Sequence, residues 1–84
     1  MTSEFSNLPT IELGVYEHYK GKRYKVLGVG RHTESDEYYV VYAPLYEHKG
    51  QPEIWVRPYA MFIEEIDVNG TKTPRFTKIS EWLL

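Results

Sequence analysis

The sequence has 84 residues and a formal net charge of −2, with 42% hydrophobic residues, 15% aromatic residues and no cysteine. A chain of this length has room for one core, and its apolar content is too high for a disordered segment. The composition excludes disulfides, thiolate metal sites and a cysteine nucleophile, and the negative charge argues against a protein whose whole surface binds phosphate backbones.

The first part of the chain predicts an arm followed by two strands. Residues 1–12 are mostly polar and contain a proline, so we expect an N-terminal arm. Residues 14–19 begin a first strand, and residues 23–32 form a second strand after a short turn that contains a glycine. Gly28 and Gly30 fall where the apolar residues change faces, which predicts a bulge or a bend.

The middle of the chain predicts two more strands, a helical turn and a hairpin. Residues 37–46 have apolar side chains on both faces, which is typical of a central strand, and residues 54–57 are strong β formers. A proline precedes residues 59–62, where its position predicts a single helical turn. Residues 63–76 predict a hairpin, because their central Asn-Gly pair suits a type I′ turn.

These elements predict a mainly β fold, a small SH3-like barrel of five or six short strands with one short helical turn. We expect the barrel domain over residues 13–76, between the arm at 1–12 and a tail at 77–84 that packs on the barrel. In the tail, Ile79 and Trp82 lie three residues apart, which predicts a short helix. An open α+β arrangement remains an alternative, because a sequence predicts strands better than their order.

Basic residues are concentrated before residue 32, and acidic residues follow them. The basic segment interleaves lysine and arginine with tyrosine, as in surfaces that stack the bases of single-stranded nucleic acid and pair with its phosphates. Cross-strand charge pairs and core packing account for the same residues, so nucleic acid is the weaker hypothesis. The candidates for it are Lys20, Lys22, Arg23 and Lys25.

The histidines predict neither a metal site nor a cofactor. No two of His18, His32 and His48 have the spacing of ligands on one helix or one strand. His32 and Glu34 are the only local pair suited to acid–base chemistry. Both lie at a predicted turn, where such residues more often bond the backbone.

Two arginines differ from the other basic residues because each lies inside a predicted strand beside proline and an aromatic residue. A partly desolvated guanidinium needs a planar acceptor such as a carboxylate. For Arg57 and Arg75 we favour a structural ion pair, with Glu34, Glu37 or Glu65 as the partner, over an anionic ligand.

One set of residues in this sequence matches the motifs of a known family: Gly14, Val15, Tyr16, His18, Tyr19, Lys20, Gly21, Tyr24, Arg31, His32, Thr33, Glu34, Val40, Val41, Tyr42, Leu45, Tyr46, Trp55, Val56, Arg57, Pro58, Met61, Phe62, Pro74, Arg75 and Phe76. These motifs together resemble the bacterial family called domain of unknown function 1653. The matching segments run from residue 14 to residue 76, and Ser35 stands where threonine is expected. The resemblance implies a small SH3-like barrel, often a stand-alone bacterial protein, and it implies no established activity, cofactor or catalytic residue.

The sequence therefore predicts a binding module for an unknown ligand, which is a small molecule, a peptide or a nucleic acid. One alternative is a small hydrolase or transferase that uses His32 and Glu34, with a pocket completed at a dimer interface. Another is a protein that binds partners through exposed strand edges. The candidate binding residues are His18, Tyr19, His32, Glu34, Tyr42, Trp55, Arg57 and Arg75.

The chain begins without a basic segment and an apolar run, and its longest nearly apolar stretch is too short to cross a bilayer. We therefore expect a cytoplasmic protein with no membrane partner. A homodimer is left open.

Overall fold

The computed structural model describes residues 9–46 and 53–81. Within these ranges the chain forms seven strands and one short helix, which confirms the prediction of a mainly β domain with one helical turn at residues 59–62. The elements are β1 Gly14–His18, β2 Arg23–Arg31, β3 Tyr38–Pro44, β4 Trp55–Pro58, α1 Tyr59–Phe62, β5 Glu65–Val68, β6 Thr71–Pro74 and β7 Phe76–Ser80. No helix in the described ranges has the length and apolar character needed to cross a membrane.

The strands form two antiparallel sheets rather than one closed barrel. Five strands pair in the order β4-β3-β2-β1-β7, and β5 pairs only with β6. A closed barrel requires a continuous ladder, and in the described residues the edge strands β4 and β7 are hydrogen-bonded neither to each other nor to the hairpin. The strands also number seven in these ranges, where the sequence predicted five or six.

The predicted helix in the tail is wrong over the residues that the structure describes. Residues 76–80 form β7, which pairs with β1 so that Phe76 lies opposite His18 and Lys78 lies opposite Tyr16. This pairing satisfies the backbone of β1 on the side away from β2, a long-range requirement that local spacing cannot reveal. Trp82 lies outside the described residues, as do residues 1–8 of the predicted arm and the segment 47–52 with His48.

The predicted bulge in β2 is confirmed. The register between β2 and β3 shifts between Val26 and Gly28. Before the shift, Tyr24 and Val26 are buried on the inner face of the sheet, while Leu27 is 36% exposed. A bulge of this kind bends its strand. The inner face of this sheet is concave, and Tyr24 of β2 contacts Phe76 of the edge strand β7 across it.

Aromatic side chains fill the concave face. The buried residues are Tyr16, Tyr24, Val26, Val40, Tyr42, Phe62 and Phe76. Phe62 comes from α1 and is 1% exposed, and its ring stacks on Phe76 with a centroid distance of 4.0 Å. It also meets Tyr16 and Tyr42 edge-on at 5.6 and 5.4 Å. The short helix therefore supplies the side chain that fills the centre of the core.

At two positions the geometry of the backbone explains why the residue is glycine. Asn69 and Gly70 have φ angles of +53° and +84°, as the predicted type I′ turn between β5 and β6 requires. Gly14 lies where β1 approaches β7, and a Cβ there would be 2.6 Å from the Ser80 carbonyl oxygen. A larger residue at position 14 would therefore push the two strands apart.

We expect Phe62→Ala to lower the free energy of unfolding by about 3–5 kcal/mol, because it leaves a cavity among the rings of Tyr16, Tyr42 and Phe76. Chemical denaturation monitored by aromatic circular dichroism would measure the loss. Phe62→Leu, which leaves less empty volume, should retain the fold if the alanine variant does not.

The matched control for this substitution is Met61→Ala on the same helical turn. The Met61 side chain is 43% exposed, so its loss should cost less than about 1 kcal/mol. Equal losses for the two alanine variants would show that Phe62 is not the central packing residue.

Candidate functional site

One end of the concave face carries a group of arginine, histidine and aromatic side chains that we call the arginine–aromatic cluster. The strands place its members on the same face, because Tyr42 lies opposite Trp55 in the register and Phe76 lies opposite His18. The cluster consists of His18, Tyr19, Tyr24, Tyr42, Tyr46, Trp55, Arg57, Arg75 and Phe76.

Arg57 lies on the edge strand β4 and extends across the inner face. Its Nε donates a hydrogen bond to the Tyr42 hydroxyl at 3.2 Å, and its guanidinium carbon lies 5.5 Å from the centre of the Phe76 ring. Among the described residues, no carboxylate lies within 4.0 Å of the guanidinium. The predicted ion pair is therefore not formed there, and a half-buried cation rests on a hydroxyl and an aromatic ring.

Arg75 has the ion pair that we expected, but with a different partner. Its Nη2 donates to Glu64 Oε1 at 3.0 Å, its Nε donates to the Met61 carbonyl at 3.1 Å, and its side chain is 19% exposed. The register of the β5–β6 hairpin explains why Glu64 is the partner. Glu65 pairs with Pro74, so the residues just outside this pair, Glu64 and Arg75, lie opposite each other. Glu34, Glu37 and Glu65, the partners suggested by the sequence, are not used. Arg75 thus joins the end of α1 to the start of β7.

His18 lies close enough to both arginines for their charges to act on its ring. Its Nδ1 accepts a hydrogen bond from the Lys20 backbone N–H at 3.2 Å, so the neutral ring carries its proton on Nε2. The ring packs edge-on against Phe76 at 4.9 Å. Burial lowers the pKa of His18 below its ordinary value, and the positive charges of Arg57, Arg75 and Lys20 lower this pKa further.

The remaining aromatic residues form one side of the cluster. Tyr24 contacts Tyr42, Tyr46, Trp55 and Phe76 at centroid distances of 5.3 to 5.8 Å. Burial raises the pKa of the Tyr24 hydroxyl, and the 3.5 Å contact with the Tyr46 hydroxyl raises it further. Tyr24 therefore stays neutral at physiological pH, and Trp55 and Tyr46 are only partly buried, so they offer ring surface to solvent.

The structure does not bring His32 and Glu34 to the cluster. They follow the far end of β2, about 25 Å of extended chain away from Tyr24. The His32 Nδ1 accepts hydrogen bonds from the backbone N–H groups of Glu34 and Ser35, both at 3.2 Å. His32 therefore holds the turn between β2 and β3, which is the structural role that turn residues commonly have.

The four basic candidates for nucleic acid binding have different surroundings. Lys22 Nζ lies 4.4 Å from the centre of the Tyr46 ring, and Lys20 Nζ lies 5.8 Å from that of Tyr19, so both border the cluster. Arg23 forms an ion pair with Glu17 at 3.3 Å. Lys25 follows Tyr24 in β2 and therefore lies on the opposite face of the sheet.

Sequence reasoning missed Tyr24, Tyr46 and Phe76 as members of the cluster. The contact between Phe76 and Arg57 joins two edge strands of one sheet, and no local pattern in the sequence reveals which strands are its edges. In the described parts of the chain, no three His, Asp or Glu side chains are grouped so that they could hold a metal ion.

The residues of the cluster lie within the part of the chain that is similar to known proteins. The family described as protein of unknown function, DUF1653, matches residues 14–78. A solved structure of a DUF1653 protein from Bordetella bronchiseptica is 36% identical, with a TM-score of 0.77, and the match covers 88% of this chain and 94% of that one. A search of the curated proteins found no match.

The environment of His18 generates a pH prediction. We expect its pKa to be below 6.5 and to rise partway toward that value in Arg57→Met, because the substitution removes one positive neighbour and leaves the ring buried. NMR titration of the imidazole protons would measure both values.

The sign of the effect on stability follows from linkage. The unfolded chain protonates the His18 ring more readily than the folded chain does. The contribution of His18 to the free energy of unfolding is therefore fully present above pH 6.5, and it is lost as the pH falls through the lowered pKa of the folded state. Arg31→Met, at the far end of β2, serves as the control and should leave the pKa of His18 unchanged. An unchanged pKa in Arg57→Met would contradict the assigned cause.

Proposed function

The chain belongs to the family of proteins of unknown function DUF1653, and for this domain we propose the binding of a flat, anionic small ligand at the arginine–aromatic cluster. The observation that carries the proposal is Arg57, a half-buried guanidinium with no carboxylate partner in the described ranges. A guanidinium that is half-buried and has lost part of its water shell binds an anion favourably, because the anion replaces that water.

The hydrogen bonding of Arg57 supports this assignment. A guanidinium has five N–H donors, and the structure uses the Nε–H for Tyr42. The donors on the two terminal nitrogens match the paired oxygens of a phosphate or a carboxylate. The Tyr42 hydroxyl and the Phe76 ring hold the guanidinium in place, so less conformational freedom is lost when the ligand binds.

The local charge also favours an anion. Four cations, Lys20, Lys22, Arg57 and Arg75, lie in or beside the cluster, and the two carboxylates that contact its members in the described ranges offset only half of this charge. Glu64 accepts from Arg75, and Glu53 accepts from the indole N–H of Trp55 at 2.7 Å. This end of the sheet is therefore positive in a chain whose net charge is −2.

The aromatic residues favour a flat ligand. Trp55 and Tyr46 are partly exposed, and Tyr19 is 39% exposed beside His18. Ring faces of this kind stack on a planar group, while the guanidinium pairs with a charge attached to it. The neutral His18 adds an Nε2–H donor, and a bound anion would raise its pKa, so binding becomes tighter as the pH falls.

Adenosine 5′-monophosphate is a probe that combines an aromatic plane with a phosphate. We expect Arg57→Met to weaken its binding about ten- to a hundredfold, because the variant keeps an apolar chain over Phe76 and loses the charged hydrogen bonds. Isothermal titration calorimetry at low ionic strength would measure the dissociation constants.

Controls separate the two parts of the ligand. Adenosine and inorganic phosphate should each bind more weakly than the nucleotide, and Arg31→Met should bind it as the unchanged protein does. Equal affinity in Arg57→Met, or no binding of the nucleotide at any salt concentration, would refute the proposal. Tighter binding of a single-stranded oligonucleotide that depends on Lys20 and Lys22 would instead identify a nucleic acid surface.

A further inference from the structure

A second surface lies at the opposite end of the sheet, and it differs in chemistry. Pro9, Tyr38, Pro58 and Tyr59 line a depression of about 290 Å³, which also includes Ala60 and has Glu37 at its margin. We call it the tyrosine–proline groove. Its walls are rings of proline and tyrosine, whereas the arginine–aromatic cluster is built around guanidinium groups.

The fold brings these residues together from three separate parts of the chain. The register places Tyr39 opposite Pro58, so the neighbouring Tyr38 and Tyr59 lie at the same end of β3 and β4. The Tyr59 hydroxyl donates to the Thr10 carbonyl at 2.7 Å, which holds the segment containing Pro9 against the helix. The groove is therefore formed by tertiary contacts before any partner binds.

Two polar groups at the groove have unused hydrogen-bonding capacity. The Tyr38 hydroxyl has no hydrogen-bond partner among residues 9–46 and 53–81, although its side chain is half-buried. On Glu37, Oε1 accepts from the hydroxyls of Tyr39 and Ser35 at 3.1 and 3.4 Å. Oε2 accepts no hydrogen bond from the described residues, and this leaves one carboxylate oxygen for a cation.

The charge around the groove is negative. Glu37 lines the groove and is exposed, and Asp36, the residue before it, is paired with Arg31 at 3.0 Å. The groove thus offers flat aromatic walls, a hydroxyl donor and an unneutralised carboxylate side by side. Proline rings in a polyproline II segment pack between such walls, their backbone carbonyls accept hydrogen bonds from tyrosine hydroxyls, and an adjacent arginine pairs with the carboxylate.

We propose that the tyrosine–proline groove binds a proline-rich segment of a partner protein in the polyproline II conformation, with a basic residue placed against Glu37. This site is independent of the proposed anion site, because it shares no residue with the arginine–aromatic cluster. The proline-rich backbone is already extended before it binds, so little entropy is lost on docking.

The test uses the full chain and a synthetic ten-residue peptide in which one arginine is followed mainly by prolines. NMR titration should shift the resonances of Tyr38, Tyr59 and Glu37 and give a dissociation constant below about 1 mM. Tyr38→Phe, which removes only the hydroxyl, should weaken binding about fivefold. Glu37→Gln should weaken it and abolish the preference for arginine over glutamate in the peptide.

Matched controls test whether the peptide binds at the groove and whether binding depends on its prolines. Tyr19→Phe and Lys22→Met change the other end of the sheet and should leave peptide affinity unchanged. A glycine–serine peptide with the same arginine should bind at least tenfold more weakly. Equal binding of that peptide, no shifts at millimolar peptide, or shifts confined to the arginine–aromatic cluster would each overturn the assignment, and none of these results bears on nucleotide binding.

Discussion

The stack of Phe62 on Phe76, with ring centroids 4.0 Å apart, joins the short helix to the far edge strand of the main sheet. Phe62 follows β4 and Phe76 begins β7, and these two strands are the edges of the same five-stranded sheet. Because both rings also touch Tyr42, the contact holds the two edges over one concave face without hydrogen bonds between them. In this domain the packing of the core rings therefore maintains the curvature of the sheet.

The position of Arg57 is a consequence of this curvature. Its backbone lies on one edge strand, and its guanidinium reaches the ring of Phe76 on the other. A flat sheet would place those residues several strand spacings apart. The same curvature brings His18 close enough to both arginines for their charges to lower its pKa. The electrostatic character of the cluster thus depends on the aromatic stack that holds the edges together.

The two ends of the main sheet have opposite chemistry. The turn between β1 and β2 carries Lys20 and Lys22 at the same end as Arg57, which has no carboxylate partner in the part of the chain that the structure describes, and the turn between β2 and β3 carries Glu34 and Glu37. Strand β2 separates the two turns by about 25 Å, more than twice the Debye length of about 10 Å at ordinary ionic strength, so neither field cancels the other. The two surfaces that we propose as binding sites therefore differ in charge on a chain of 84 residues.

Local chemistry by itself determined strands β1 to β6, the helical turn after Pro58, the bulge before Gly28 and the turn at Asn69 and Gly70, because each depends on neighbouring residues in the chain. It also suggested that Arg57 and Arg75 differ from the other cations, since an arginine between proline and aromatic neighbours is partly desolvated. Only the tertiary structure decided that β7 pairs with β1, that the sheets remain open, that Arg75 pairs with Glu64, and that His32 lies far from His18. Those outcomes depend on strand order and on which rings stack across the core. Such long-range contacts are chosen by the packing of the whole domain and leave no periodic pattern in the sequence.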